Sequence, residues 1–197
     1  TLFRSKNTPP LLEFHRQQWE MWGAELIDVP AGRAKVNFHI AKKQVPEGYK
    51  LLPLGLPLPE TLEETVKIAK EVVPDFPTIV ISTGSGTITA GVWMATEPKQ
   101  IVYGVMTRSG DIKQKRKHIK NNPLALRELF QMNRGQLVLI DEGWEYSEPC
   151  KVEVPFPCHP WYDAKAWSWL VTNQKHLKPP VLFCNIGSAG SFSGSVN

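Results

Sequence analysis

The segment Ile79-Val80-Ile81-Ser82-Thr83-Gly84-Ser85-Gly86-Thr87-Ile88-Thr89-Ala90-Gly91-Val92 has the make-up of an anion cradle. A β-branched run leads into a turn of small residues and then into a helix. The two glycines let the backbone come close to an anion and adopt dihedrals closed to other residues. The first amides of the helix then point at that anion, and the helix dipole favours negative charge there. Ser82, Thr83, Ser85 and Thr87 add hydroxyl donors. No lysine follows Gly86, which disfavours a nucleoside-triphosphate loop, and Thr89 stands where the dinucleotide fingerprint needs a third glycine. The same residues also suit a tight strand-to-helix turn that binds nothing.

Three other groups invite chemistry. Lys113, Lys115, Arg116, Lys117 and Lys120 form a basic run; a solvated loop or helix start is the plainer reading, phosphate or nucleic-acid binding the sharper one. Cys150, Cys158 and His159 lack the paired spacing of a zinc site and are read as structural, so no metal is expected. Asp163 opens a helix, where the dipole stabilises a carboxylate. Trp161, between Pro160 and Tyr162, is the tryptophan placed to reach a ligand.

The elements that position these groups alternate. Helical periodicity runs over Leu11–Trp22 with Gly23 as a stop, and weakly over residues 33–43. Glu25–Val29 and Lys50–Pro53 suit short strands, and Leu54–Pro59 is a Gly/Pro loop. Thr61 with Glu64 resembles a capping box for a helix whose buried face is Leu62, Val66, Ala69 and Val73, stopping at Pro74. Strands follow at Thr78–Ser82, Ile101–Met106, Gln136–Ile140 and Pro180–Cys184, with helices at Pro123–Met132 and Tyr162–Gln174. No repeat and no Asn-Gly hairpin signal interrupts them. The fold class predicted is therefore α/β: a mainly parallel, twisted sheet with helices on both faces, over residues 1–186, followed by a Gly/Ser-rich tail at 187–197. In such sheets ligands sit beyond the carboxyl ends of the strands, after Ile81, Met106 and Cys184.

Composition narrows the classes. The 197 residues are 42% apolar and 21% charged, with a mean hydropathy of −0.25, which suits a globular chain rather than a disordered one. No apolar run approaches the ~18 residues of a membrane span, and no signal peptide is evident, so no membrane partner is expected. The five cations of the basic run exceed the whole net charge of +4, leaving the rest slightly acidic; a general nucleic-acid surface is not expected. Three cysteines do not make a disulfide framework, and a cytoplasmic location follows as the expectation.

Taken in order, four segments resemble the pyridoxal-phosphate enzymes of the tryptophan synthase β fold (fold type II), in particular the aminocyclopropane-carboxylate deaminase and D-cysteine desulfhydrase group. They are Gly23–Ala34, with Val29-Pro30-Ala31-Gly32-Arg33-Ala34; the loop Ser82–Val92; Tyr162-Asp163-Ala164-Lys165-Ala166; and Pro180–Gly187. The resemblance implies that Thr83, Gly84, Ser85, Gly86 and Thr87 hold the phosphate of pyridoxal 5′-phosphate. It places Asp163 beside the pyridine nitrogen, Asn185 near the ring, and Tyr162 either near the substrate or where it helps position the ring. The implied activity is a lyase or deaminase acting on a small amino acid through a ring-stabilised carbanion. An acidic residue at 163 points to the deaminase branch, since the desulfhydrases place Thr there.

There are departures. Thr87-Ile88 replaces the family's Gly-Thr, and Asn185-Ile186 replaces its His-Thr. Only the C-terminal part of a family chain is matched. The family's Schiff-base lysine and Ser/Asn-rich substrate loop have no counterpart here, and Lys35, Lys42, Lys43 and Lys165 lie outside that lysine's context. The chain begins with Thr1 rather than Met. The expectation is a chain inactive alone, lacking an N-terminal segment; homodimers are the family's habit, and Leu51–Pro59 offers an apolar contact. The alternative is a non-catalytic domain of the same fold that binds a phosphate or nucleotide ligand.

Overall fold

The computed structural model describes residues 2–5, 16–17, 19–29, 34–121, 134–146 and 148–187. The chain divides into two compact units, Thr1–Leu54 and Gly55–Asn197.

In the first unit, β1 (Leu2–Ser5) and β2 (Leu26–Val29) pair in parallel. Residues 16–17 and 19–21 are helical, and that helix stops at Gly23, whose φ of 78° is a left-handed conformation natural to glycine. The Gly23 and Ala24 amides close the end by donating to the Glu20 and Trp19 carbonyls. Helix α1 (Ala34–Gln44) ends on Lys42 and Lys43, charges that suit the negative end of its dipole. Lys50–Pro53 does not form the expected strand. The run is short, Pro53 lacks an amide to donate, and no neighbouring strand edge pairs with it among the described residues. Residues 11–15 of the first predicted helix, and Pro30–Arg33 of the first resembling segment, lie outside the described residues.

The second unit holds a four-stranded parallel sheet. Helix α2 (Pro59–Val72) leads through a 3-10 turn, Val73–Asp75, to β3 (Thr78–Thr83). Then come α3 (Thr87–Met94), β4 (Ile101–Met106), α4 (Ile112–Asn121), β5 (Gln136–Ile140), α5 (Asp163–Asn173) and β6 (Val181–Cys184). The expected capping box at Thr61 is not used. Pro59 takes the first helical position instead, where its preset φ fits and its missing N–H costs nothing. The basic run, expected as a loop or helix start, is α4 itself, while the helix expected at Pro123–Met132 lies outside the described residues.

Strand order is β5-β4-β3-β6, all parallel, with Thr78 opposite both Ile101 and Val181. Alternation along β3 builds two cores. Ile79 and Ile81 face a layer of α2, α3 and α4 through Leu62, Val66, Ala90, Trp93 and Ile119. Val80 faces the other way, onto Ala166, Trp169 and Leu170 of α5. Each large aliphatic side chain so buried contributes about 1.5–3 kcal/mol. Successive crossovers carry the chain from β3 out to β5 on one face, and α5 brings it back across the other face to β6. The strand order therefore reverses between β3 and β6, and the crevice beyond their carboxyl ends is where such sheets bind ligands. No helix among the described residues is long and apolar enough to cross a membrane.

Candidate functional site

The turn from β3 into α3 forms one wall of that crevice. Gly86 caps α3 with φ 96° and ψ 0°, and a Cβ there would lie 2.6 Å from Ile119 Cγ1, so both dihedral and space demand glycine. Gly84 is different: a Cβ would meet only Thr107 Oγ1, at 3.7 Å. The amides of Ser85 and Gly86 donate to no protein acceptor among the described residues. They stand at the positive end of α3, an arrangement that favours an anion. From outside, the loop is held by Gly55, whose carbonyl accepts the Thr87 hydroxyl at 2.6 Å.

The facing wall comes from the start of α5 and the end of β6. Asp163 is only 2% exposed. Its carboxylate accepts the Ser82 hydroxyl on one oxygen and the Gly187 amide, at 3.0 Å, on the other, so it ties β3, α5 and the end of β6 together. Burial pushes its pKa above the usual carboxylate range, opposed by the hydrogen bonds from Ser82 and the Gly187 and Ile186 backbone. No cation pairs with it among the described residues.

Tyr162 lies 2.5 Å from Tyr146, hydroxyl to hydroxyl, and burial with that bond raises its phenol above the usual range, so it stays protonated at neutral pH. The His159 ring lies 4.6 Å from the Tyr162 ring, centroid to centroid. Nearby, burial and the Asp163 charge push the Cys158 thiol up to about 11 and the Cys184 thiol to about 12, so neither supplies a thiolate nucleophile at neutral pH.

Between the walls is an open pocket of about 190 Å³. Gly84, Ser85, Gly86, Tyr162 and Asp163, all singled out from the sequence, converge on it. The other three candidates do not line it. Thr83 bonds Thr89, hydroxyl to hydroxyl, at 3.0 Å, Thr87 is committed to Gly55, and the Asn185 amide donates to the Pro157 carbonyl at 2.8 Å. Trp161 is also absent from the lining.

Ile88, Thr89, His159, Ile186 and Gly187 also line the pocket without being expected there from the sequence, and the Ser82–Asp163 bond was likewise unexpected. The signal for Gly187 was its place just past the last strand; His159 carried none beyond its neighbourhood to Tyr162. Lys165, two residues past Asp163, does not open onto the pocket. It is 0% exposed, donating to the Thr107 and Glu145 carbonyls at 2.9 and 2.8 Å over the Trp144 ring, and burial lowers its pKa.

The residues present fit a phosphorylated pyridine. Among the described residues, the Ser85 and Gly86 amides at one end of the pocket have no protein acceptor, and the buried Asp163 carboxylate in its facing wall has no cation.

The chain is 35% identical, over 199 aligned positions, to a glycyl-dTMP PLP-dependent decarboxylase of Pseudomonas phage M6; the match covers 92% of this chain and 67% of that protein. Its fold is similar to the crystal structure of an ACC deaminase homologue, with a TM-score of 0.68 at 20% identity, over 87% of this chain and 61% of the other. This chain thus spans about two thirds of the length of the phage protein and about three fifths of the deaminase homologue. No family model matches it.

Proposed function

The chain belongs to the fold-type-II pyridoxal-phosphate-dependent enzymes, a superfamily that includes the ACC deaminase-like proteins, and from that premise we propose that it serves a carbon–carbon lyase, a decarboxylase of an amino-acid group. The observation that carries this reading is Asp163, a buried carboxylate with no cation beside it among the described residues, facing the Ser85 and Gly86 amides of the glycine loop across one pocket.

In this reading the Ser85 and Gly86 amides and the α3 N-terminus hold the cofactor phosphate. Asp163 stands beside the ring nitrogen and keeps it protonated, with Ser82 and the Gly187 amide fixing the carboxylate. When bound, pyridoxal phosphate supplies an electron sink for the carbanion left on the substrate α-carbon. Tyr162 Oη, held protonated, offers the proton that replaces the departing carboxylate, and Tyr146 orients that hydroxyl. No lysine lines the pocket among the described residues, so the residues assigned here serve the phosphate, the ring nitrogen and the returning proton. The phage M6 relative acts, by its name, on glycyl-dTMP, which supports a glycyl group carried on thymidylate as the substrate.

The test is the gene product loaded with pyridoxal 5′-phosphate and given glycyl-dTMP labelled at the glycyl carboxylate. The expected outcome is labelled carbon dioxide, with Tyr162→Phe slower by about 10²–10⁴-fold. Ammonia without carbon dioxide would instead make it a deaminase, and neither product would sink the lyase reading.

A further inference from the structure

The basic run, read from sequence as a solvated surface, has one face built into the glycine loop. Lys113, Arg116 and Lys117 on α4 are exposed, but Lys115 is half-buried and its Nζ donates to the Gly84 carbonyl at 2.7 Å. One turn further, Ile119 is fully buried and fills the space where a Cβ on Gly86 would sit. Burial, with Arg108 near by, lowers the Lys115 pKa. The helix thus grips the loop at two successive points, by an ammonium at 84 and a side chain at 86.

The peptide between Gly84 and Ser85 is planar and trans, so its C=O and N–H point in opposite directions. A cation bonded at the oxygen fixes the plane of that peptide. It also withdraws electron density from it, making the N–H a stronger donor. That N–H belongs to Ser85, which lines the pocket and whose amide has no protein acceptor among the described residues. We propose that Lys115 is a positioning residue for a phosphate monoester: its ammonium orients and polarises the Gly84–Ser85 peptide so that the Ser85 amide binds the anion. The inference rests on the reading of this loop as a phosphate cradle. It explains why one lysine of an exposed basic helix is turned inward, and it assigns the other cations of that helix no part in the contact.

The test is calorimetric titration with inorganic phosphate, and with pyridoxal 5′-phosphate against pyridoxal, which lacks the phosphate. Lys115→Met is expected to weaken both phosphate ligands about five- to tenfold while leaving pyridoxal unchanged. Lys115→Arg restores affinity to within about twofold. Lys115→Gln keeps a neutral donor for the Gly84 carbonyl but no charge, and falls between the parent and Lys115→Met. Lys117→Met removes the same charge from the exposed side and stays within about twofold of the parent at physiological salt, where exposed charges are screened.

If Lys115→Met fails to fold, the Gln and Arg variants decide the matter by the same ranking. Undiminished phosphate affinity in Lys115→Met overturns the inference alone, as does an equal loss in Lys117→Met or no rescue by Arg. A parent chain that binds no phosphate overturns the cradle, and this inference with it.

Discussion

A carboxylate such as Asp163, withdrawn from water among neutral donors and with no cation beside it among the described residues, is held at a cost to the folded state. Its pKa in the fold is raised above the ordinary carboxylate value of 3.8. The folded chain therefore binds this proton more tightly than the unfolded one. Stability from this group is greatest below pH 3.8 and is lost as pH rises through the raised folded value. Asp163→Asn, which cannot ionise, is expected to melt at a higher temperature than the parent at pH 7, with the gap closing as the pH falls below 3.8. The same variant loses affinity for pyridoxal 5′-phosphate about tenfold or more, because the ring nitrogen loses its counter-charge. Melting curves at several pH values, with and without cofactor, check both arms; a destabilised variant at pH 7 would contradict the account. Asp163 and Tyr162 were legible as residues of one short segment. The role of Ser82 was not, because its partner lies 81 positions away.

At the scale of elements, α3 both presents the cradle and packs against α2. Gly91 sits at that contact, where a Cβ would lie 2.5 Å from Thr65 Cγ2 and 3.5 Å from the Leu62 carbonyl. Gly91→Ala is expected to cost about 1–3 kcal/mol through overpacking, a fall of very roughly 2–12 °C in melting temperature at this chain length. Because the helix must shift to admit the methyl, phosphate affinity falls with it. Gly84→Ala, at an open position of the same loop, leaves the melting temperature within about 2 °C. Thermal melts of the two variants side by side are the check. Periodicity and β-branched runs exposed β3, β4, β5, α2 and α5 in the sequence. Helix α4 was harder to see because only Ile112 and Ile119 mark its apolar face, with the half-buried Lys115 spaced between them. Lys50–Pro53 looked like a strand because local composition carries no information about whether a partner edge is available.

Across the whole molecule, every residue lining the pocket lies between Ser82 and Gly187, within the unit that begins at Gly55. That unit has a core on each face of its sheet. A chain starting at Gly55 is expected to unfold cooperatively and to bind inorganic phosphate within about threefold of the parent; chemical denaturation and calorimetry decide, and a non-cooperative transition would contradict it. Alternating strands and helices made the parallel sheet legible. The placing of β6 beside β3 was not, since pairing between strands about 100 residues apart is set by packing rather than by local pattern. That unread step forms the crevice, bringing Gly187 and Asp163 opposite the glycine loop.

The most direct measurement is a crystal structure with pyridoxal 5′-phosphate bound. The expected result is the phosphate on the Ser85 and Gly86 amides at the start of α3, with the ring nitrogen within about 3 Å of an Asp163 carboxylate oxygen. A phosphate bound elsewhere, or a ring nitrogen turned away from Asp163, would contradict it.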